Sequence, residues 1–260
     1  MDFGLTDKVA LVTGTGSQAG MGKEIALTLA REGCHVVCTD INLEGAEKTA
    51  ADVRALGRQA VAIRADICRS AEVTKMAAEA VGKLGKIDIL VNVAGGATFG
   101  GPLAEMTEEN VDKELTLNLK GALNCARAVL PGMLGRKSGK IVSISSFGAR
   151  TGVAGAVVYC SAKEGIIGLT KALAKEVGPA GINVNAIAPG LVLTEFYGPG
   201  LEKLPPQMRQ RAPAGGPGPM PGPKLTSTRD VANTVAFLVS DVSANINGQT
   251  ISVDGGQFMI

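Results

Sequence analysis

The fold of this chain is decided by the run Val9-Ala-Leu-Val-Thr13 and the segment Gly14-Thr-Gly-Ser-Gln-Ala-Gly-Met-Gly22 that follows it. The first run is mostly apolar and rich in β-branched residues, which predicts a buried strand. The glycine-rich segment leads into a helical pattern over residues 23–31. A strand, a glycine-rich turn and a helix in this order bring backbone N–H groups to a helix N-terminus, where a pyrophosphate can bind.

The alternation of strand and helix continues along the rest of the chain. Further apolar runs predict strands over residues 36–39, 60–64, 87–92, 140–145, 182–188 and 249–253. Helical patterns separate them, over residues 43–56, 70–83, 108–134, 157–177 and 228–238. Because the strands are continuous apolar runs, we expect helices on both faces of the sheet. The sequence therefore predicts a single doubly wound α/β domain with a mostly parallel, seven-stranded sheet.

One segment, residues 195–227, breaks this alternation. It holds eight of the twelve prolines and a cluster of glycines, and it is too poor in apolar residues to form a domain. We therefore predict a substrate loop inside a single domain of residues 1–260. Phe196 and Tyr197 open this loop and are candidate pocket walls, although they could equally anchor the loop on the core.

The composition excludes several classes of protein. The chain has 260 residues, of which 45% are hydrophobic and 19% charged, and no long uncharged apolar run, so we expect a globular protein without a membrane span. A net charge of +2 and 3% aromatic residues argue against a nucleic-acid partner. The first residues lack the basic and apolar regions of a signal peptide, so we expect a cytoplasmic protein.

Cysteine and histidine usage limits the chemistry. Five cysteines without a Cys-x-x-Cys pair and one histidine leave too few ligands for a metal site, so we expect no metal and reduced thiols. The single histidine, His35, begins an apolar run, which favours packing over catalysis. A Ser-His-Asp hydrolase would have to use His35, so another base is expected.

Asp40 strengthens the prediction of a dinucleotide site. It lies eighteen residues after Gly22, at the end of the second predicted strand. A carboxylate at this place can accept a hydrogen bond from the adenosine ribose 2′-OH of NAD. The turn and Asp40 together favour an NAD site over a flexible turn that happens to precede a solvated aspartate.

A second group of residues indicates acid/base chemistry. Tyr159 and Lys163 are four residues apart on a predicted helix, so their side chains share one face. A Tyr-x-x-x-Lys spacing can occur by chance, but Ser146 lies thirteen residues earlier, just past a predicted strand, and Asn118 precedes it. A phenol titrates near pH 10, so a base that works near pH 7 to 8 needs about 3 to 4 kcal/mol of help. One ammonium a few ångströms away supplies about 4 kcal/mol at an effective dielectric near 20.

On these residues the sequence resembles the short-chain dehydrogenase/reductase family, from Lys8 to Gly256. The shared motifs are the Thr13-Gly14 turn with Gly20-Met-Gly22, Asp66, Asn92-Val-Ala-Gly95, Asn118, Ser146, Tyr159-x-x-x-Lys163, Pro189-Gly190 with Thr194, and Asp254-Gly-Gly256. Two features depart from the family pattern: the glycine-rich turn is two residues longer, and Val93 replaces a second asparagine.

The resemblance implies a Rossmann-type fold and a role for each matching residue. Tyr159 would be the base in alcohol oxidation and the acid in ketone reduction, and Ser146 would bind the substrate oxygen. Lys163 would hold the ribose hydroxyls, and Asn118 a water that links Lys163 to solvent. The family also implies a homotetramer, built partly from the helices over residues 118–134 and 157–177.

The cofactor assignments follow from the same resemblance. Asp66 and Ile67 would meet the adenine, while Val192 and Thr194 would hold the carboxamide. The full set expected to bind NAD is Gly14, Gly16, Ser17, Gly20, Met21, Gly22, Asp40, Ile41, Asp66, Ile67, Asn92, Ala94, Gly95, Tyr159, Lys163, Pro189, Gly190, Val192 and Thr194.

The resulting hypothesis is an NAD-dependent oxidoreductase that interconverts a secondary alcohol and a ketone. One alternative is an NADPH-dependent 3-oxoacyl carrier reductase. It is disfavoured because Asp40 should repel a 2′-phosphate, and because Ala180 stands before Gly181, where such reductases often carry an arginine. Another alternative is a non-catalytic NAD-sensing subunit, against which the intact Ser146, Tyr159 and Lys163 argue.

Overall fold

The sheet of this computed structural model, which describes residues 2–192 and 226–256, contains seven strands. They are β1 Val9–Thr13, β2 His35–Asp40, β3 Ala60–Arg64, β4 Ile89–Asn92, β5 Gly139–Ile144, β6 Ile182–Pro189 and β7 Thr250–Val253. Every neighbouring pair is parallel, and the order across the sheet is β3-β2-β1-β4-β5-β6-β7. This order confirms the predicted doubly wound α/β fold.

Helices connect the strands. They are α1 Met21–Arg31, α2 Leu43–Ala55, α3 Ser70–Leu84, α4 Glu108–Leu115, α5 Gly121–Arg136, α6 Phe147–Thr151, α7 Val157–Val177 and α8 Thr228–Val239. Apart from the predicted helix over residues 108–134, the predicted elements differ from these bounds by at most two residues at either end. The short helix α6, which Ser146 caps, was not predicted.

The prediction of one continuous helix over residues 108–134 is wrong. It consists of α4, a π-helical turn Thr116–Lys120, and α5. The N–H of Gly121 donates to the carbonyl of Thr116, five residues earlier. A π-helical turn shifts the helical register, and here it does so around Asn118. No local sequence signal marks this turn, and Pro131 lies inside α5 without ending it.

Apolar layers cover both faces of the sheet. Along β1 the side chains alternate between them, with Ala10 and Val12 in one layer and Val9 and Leu11 in the other. Helices α1, α2 and α8 contribute to the first layer, and α3, α5 and α7 to the second. The strand order reverses between β1 and β4, and a parallel sheet opens a binding crevice at such a point, at the carboxyl ends of its strands.

His35 and the cysteines lie in the scaffold. His35 is the first residue of β2, so it lies at the amino ends of the strands, away from that crevice. Its Nδ1 accepts the N–H of Gln59 at 3.1 Å. All five cysteines are free thiols. Burial raises the pKa of Cys34 and of Cys38 to about 12, which leaves both thiols unreactive near neutral pH.

Within residues 2–192 and 226–256, no three His, Cys, Asp or Glu side chains gather in a way that could hold a metal ion. In these two segments, no helix has the length and apolar character that a membrane crossing needs.

Candidate active site

Two adjoining cavities open at the carboxyl ends of the strands, with volumes of about 880 Å³ and 360 Å³. The larger lies over β1, β2 and β3, and the smaller over β5, β6 and the start of α7. Their shared lining residues are Met21, Val93, Gly95, Thr98 and Phe99. The volume of the larger cavity is within the usual range for small-molecule and cofactor sites.

The glycine-rich turn forms the floor of the larger cavity, and its packing requires glycine. Gly14 has φ +73°, and a Cβ on it would lie 2.9 Å from the backbone nitrogen of Ala94. A Cβ on Gly22 would lie 2.1 Å from the carbonyl oxygen of Gly14. Thr13 Oγ1 accepts the N–H groups of Val93 and Ala94 at 2.9 and 3.0 Å. The turn is therefore locked both to α1 and to the chain after β4.

The glycine-rich turn, two residues longer than the family pattern, contacts α2. Gln18 donates from Nε2 to the carbonyl oxygens of Gly45 at 3.0 Å and Gly16 at 3.2 Å. Asp40 accepts the N–H of Gly16 at 2.8 Å on one carboxylate oxygen and the N–H of Asn42 at 2.9 Å on the other. Asp40 also lines the larger cavity, so one carboxylate both holds the turn and faces the site.

The far end of the larger cavity has an apolar rim. Ile41 lines it and is 63% exposed, which is unusual for a large apolar side chain beside a crevice. Ile67 lies across the cavity, and a Cβ on Gly121 would meet its Cδ1 at 2.5 Å. Asp66 accepts the N–H of Cys68 at 2.9 Å, which fixes the turn after β3.

The smaller cavity brings together Ser146, Tyr159 and Lys163. Ser146 begins α6, and its Oγ accepts the N–H of Gly148 at 3.1 Å. Tyr159 is half-buried on α7, and Lys163 lies one turn further along the same helix, with its Nζ 5.8 Å from the centre of the Tyr159 ring. The predicted spacing thus places both side chains in one pocket.

Lys163 is a buried cation, only 4% exposed. Its Nζ donates to the carbonyl oxygen of Ile144 at 2.9 Å. Burial lowers the pKa of Lys163 to about 8, and the negative charge of Glu114 opposes this shift. The ammonium is therefore mostly protonated at pH 7, and its charge acts in a poorly solvated pocket.

Asn118 is buried in the π-helical turn and lines neither cavity. Its Oδ1 accepts the N–H of Gly96 at 2.8 Å, and its Nδ2 donates to the carbonyl oxygens of Gly96 at 3.0 Å and Glu114 at 3.1 Å. A Cβ on Gly95 would lie 2.7 Å from Asn118 Oδ1 and 3.2 Å from Lys163 Nζ. Asn118 and Lys163 therefore flank the same glycine.

The other predicted residues divide into three groups. The residues that line one or both cavities are Gly14, Ser17, Gly20, Met21, Gly22, Asp40, Ile41, Asp66, Ile67, Ala94, Gly95, Pro189, Gly190 and Val192. Gly16 and Asn92 line neither; Asn92 is buried and donates to Ser143 Oγ at 3.1 Å. Thr194, Phe196, Tyr197 and the predicted substrate loop lie outside the described residues.

The sequence patterns do not predict the contact between Thr98 and Glu114, which lies next to the site. Glu114 Oε2 accepts the N–H of Thr98 at 3.1 Å and also contacts its Oγ1. One signal was available, because a charged residue four positions before Asn118 occupies the same helical face. The contact with Thr98 is visible only in the folded chain.

The residues present fit a nicotinamide dinucleotide. The floor of the larger cavity is made of glycines that leave no room for a Cβ, a carboxylate ends β2, and the far end of the cavity has an apolar rim that suits an adenine. Backbone N–H groups at the start of α1, where no side chain caps the helix, suit a pyrophosphate. Fold and site together define an α/β oxidoreductase domain that uses a dinucleotide.

Comparison with known proteins gives the family. A family model described as enoyl-(acyl carrier protein) reductase matches residues 14–257. The 3-oxoacyl-[acyl-carrier-protein] reductase FabG of Staphylococcus epidermidis is 38% identical over 257 residues, which cover 97% of this chain and 100% of that protein. The chain belongs to the short-chain dehydrogenase/reductase family of oxidoreductases.

Two further relatives have other names. The (2S)-[(R)-hydroxy(phenyl)methyl]succinyl-CoA dehydrogenase subunit BbsD of Thauera aromatica is 40% identical over 255 residues, 98% of each chain. A crystal structure from Sinorhizobium meliloti 1021, described as a short-chain alcohol dehydrogenase, superposes with a TM-score of 0.87 at 35% identity, again over 98% of each chain. These similarities extend over nearly the whole chain.

Proposed function

We propose that the protein interconverts a secondary alcohol and a ketone with NAD as its cofactor and Tyr159 as the acid/base. The observation that carries this proposal is the meeting of Ser146, Tyr159 and Lys163 in a cavity that adjoins the dinucleotide cavity. The cofactor would accept the hydride in alcohol oxidation and supply it in ketone reduction.

The chain's own residues handle the proton. Ser146 Oγ is positioned as N-cap of α6 and can donate to the substrate oxygen. In alcohol oxidation the Tyr159 phenolate takes the proton of the alcohol, and in ketone reduction the Tyr159 hydroxyl donates its proton to the ketone oxygen. The charge of Lys163 stabilises the phenolate, because an ammonium close by lowers the free energy of a negative charge. Asn118 holds the backbone beside Lys163 through its two hydrogen bonds with Gly96.

Asp40 supports NAD over NADP. Its two carboxylate oxygens accept one backbone N–H each, from Gly16 and Asn42. A carboxylate has about four acceptor positions, so capacity remains for a ribose 2′-OH. A 2′-phosphate would instead face a negative charge that the extended turn holds in place. In this proposal Gly16 acts by fixing Asp40, and Asn92 by bracing β4 against β5.

A second candidate, an NADPH-dependent 3-oxoacyl carrier reductase, is favoured by the names of several relatives. Besides the S. epidermidis protein, a FabG of Staphylococcus aureus is 39% identical over 253 residues. The Thauera relative, named for a succinyl-CoA dehydrogenase, suggests a hydroxyacyl-CoA thioester as a further kind of secondary alcohol. An activity assay separates these possibilities. It measures turnover of cyclic alcohols, hydroxyacyl-CoA esters and 3-oxoacyl thioesters, each with NAD(H) and with NADP(H).

The first prediction concerns Tyr159. Tyr159→Phe removes only the hydroxyl, so the fold and NADH binding should survive while kcat falls by about 100-fold or more, the usual contribution of general acid/base catalysis. The assay is steady-state turnover on the best substrate of the panel, with NADH binding followed by fluorescence. A variant that kept more than about a tenth of wild-type turnover, with chemistry limiting the rate, would contradict this role.

We also infer that the chain assembles as a homotetramer. Three large apolar side chains on α5 and α7 support this, because Leu123, Leu134 and Val157 are each more than 40% exposed. Exposed apolar surface on long helices is typical of an interaction site.

A further inference from the structure

Glu114 is a buried carboxylate to which the reaction scheme assigns no role. It lies on α4 with 0% of its surface exposed. Its carboxylate oxygens accept the N–H of Thr98 at 3.1 and 3.3 Å, and Oε2 also contacts Thr98 Oγ1. A buried carboxylate costs free energy unless partners compensate for its lost hydration. A buried carboxylate at this position therefore needs an explanation in terms of the active site.

The first consequence of this contact is a fixed pocket wall. Thr98 and Phe99 line both cavities, and Gly96 and Ala97 line the smaller one. Asn118 holds Gly96 through two hydrogen bonds, and Glu114, one helical turn earlier, holds Thr98. Two side chains on one helical face thus fasten residues 96–99 to α4 and the π-helical turn. The position of this wall sets the space beside Tyr159.

The second consequence is electrostatic. Lys163 is buried, its Nζ donates to the carbonyl oxygen of Ile144, and the Tyr159 ring lies 5.8 Å away. The negative charge of Glu114 raises the pKa of Lys163 against the lowering caused by burial. Without that charge, Lys163 would lose its proton at a lower pH.

We propose that Glu114 is a positioning residue of the active site, whose carboxylate fixes the pocket wall through Thr98 and supplies the counter-charge that keeps Lys163 protonated. The proposal rests on the function proposed above, because it assigns Glu114 a part in the same reaction. It predicts that the two roles can be separated by substitution.

Three variants separate them. Glu114→Gln keeps an acceptor for Thr98 but removes the charge, and Thr98→Val removes the hydroxyl contact but keeps the charge. Glu109→Gln is the matched control, because Glu109 lies on the same helix, is exposed and pairs with Lys113. The readouts are kcat and KM between pH 6 and 10, and the NADH dissociation constant over the same range.

The expected results differ for each variant. In the wild type, NADH affinity should fall as the pH rises through about 8, where Lys163 loses its proton. Glu114→Gln should move this limit, and the alkaline limit of kcat, down by about one pH unit. Thr98→Val should raise KM by about threefold to tenfold and leave both limits in place. Glu109→Gln should match the wild type.

Two results would overturn the proposal: wild-type pH limits in Glu114→Gln, or a wild-type KM in Thr98→Val. If Glu114→Gln does not fold, Glu114→Asp replaces it, and this shorter carboxylate should keep the pH limits while raising KM. If the wild type shows no turnover that depends on Tyr159, the proposed function fails. The pH dependence of NADH binding then still decides whether Glu114 keeps Lys163 charged.

Discussion

The carboxylate of Asp40 has a structural role in the glycine-rich turn and a second role in the cavity. Its carboxylate accepts the N–H groups of Gly16 and Asn42, so it holds the extended glycine-rich turn against the start of α2. It also lines the cavity at the end of β2, where the resemblance places the ribose. A substitution at Asp40 should therefore loosen the conformation of the turn and also change which cofactor binds.

Substitutions of Asp40 test the preference for NAD. Coulomb repulsion between its carboxylate and a 2′-phosphate is about 4 kcal/mol before screening, and solvent at the rim roughly halves it. The wild type should therefore bind NADH about 30-fold to 1000-fold more tightly than NADPH. Asp40→Ala should remove most of this preference, because NADH binding weakens while NADPH is admitted.

A second variant separates the charge of Asp40 from its hydrogen bonds. Asp40→Asn removes the charge but keeps one oxygen that can accept the N–H of Gly16 or Asn42, so it should lose less NADH affinity than Asp40→Ala. Dissociation constants for NADH and NADPH are measured at one ionic strength. A wild type that binds the two equally would contradict the preference for NAD and favour the carrier reductase.

At the scale of elements, the contact between the glycine-rich turn and α1 controls the shape of the cavity floor. Gly22 lies in the first turn of α1 and packs directly on the carbonyl of Gly14. Thr13, the last residue of β1, accepts two backbone N–H groups on its Oγ1 and so fixes the backbone after β4. The turn is therefore packed against α1 on one side and against the backbone at Ala94 on the other.

Gly22→Ala tests this contact. Its Cβ would lie 2.1 Å from the Gly14 carbonyl oxygen, so the helix must move, and we expect a loss of about 2 to 4 kcal/mol in unfolding free energy together with loss of NADH binding. Gly82→Ala is the matched control, because Gly82 lies in α3 and the added Cβ would meet nothing within 4 Å beyond its own stretch of helix. That variant should gain up to about 1 kcal/mol. Urea unfolding measures both, and equal stability of the two variants would contradict the tight contact.

At the scale of the whole molecule, α5 and α7 present apolar side chains away from the sheet. Leu123 and Leu134 lie on α5 and Val157 begins α7, and all three are exposed in the single chain. If α5 and α7 pack against the same helices of another copy of the chain, the assembly would bury these three side chains.

Sedimentation equilibrium tests the proposed assembly. We expect a mass near four times the 26.4 kDa of the chain, and a lower mass for Leu123→Lys, because a charge in the interface lacks a partner. Val81→Lys serves as the control, since Val81 is 43% exposed on α3, outside the proposed interface. A monomeric wild type, or equal effects of the two substitutions, would contradict the proposal.

The sequence by itself determined the alternation of the strands with the long helices, the fold class and the group Ser146, Tyr159 and Lys163. These follow from local patterns: apolar runs for buried strands, helical periodicity, and a four-residue spacing that places two side chains on one helical face. The helix over residues 157–177 was predicted at both ends for this reason.

Only the tertiary structure decided the π-helical turn at Asn118, the structural role of Asp40 and the contact between Glu114 and Thr98. The latter two depend on partners distant in sequence: Asp40 reaches Gly16 across 24 positions, and Glu114 reaches Thr98 across 16. A local pattern cannot show which backbone N–H a carboxylate will meet, because that depends on how the strands and helices pack. The residues that perform the proposed chemistry were therefore visible in the sequence, whereas the contacts that hold them in place became visible only in the folded chain.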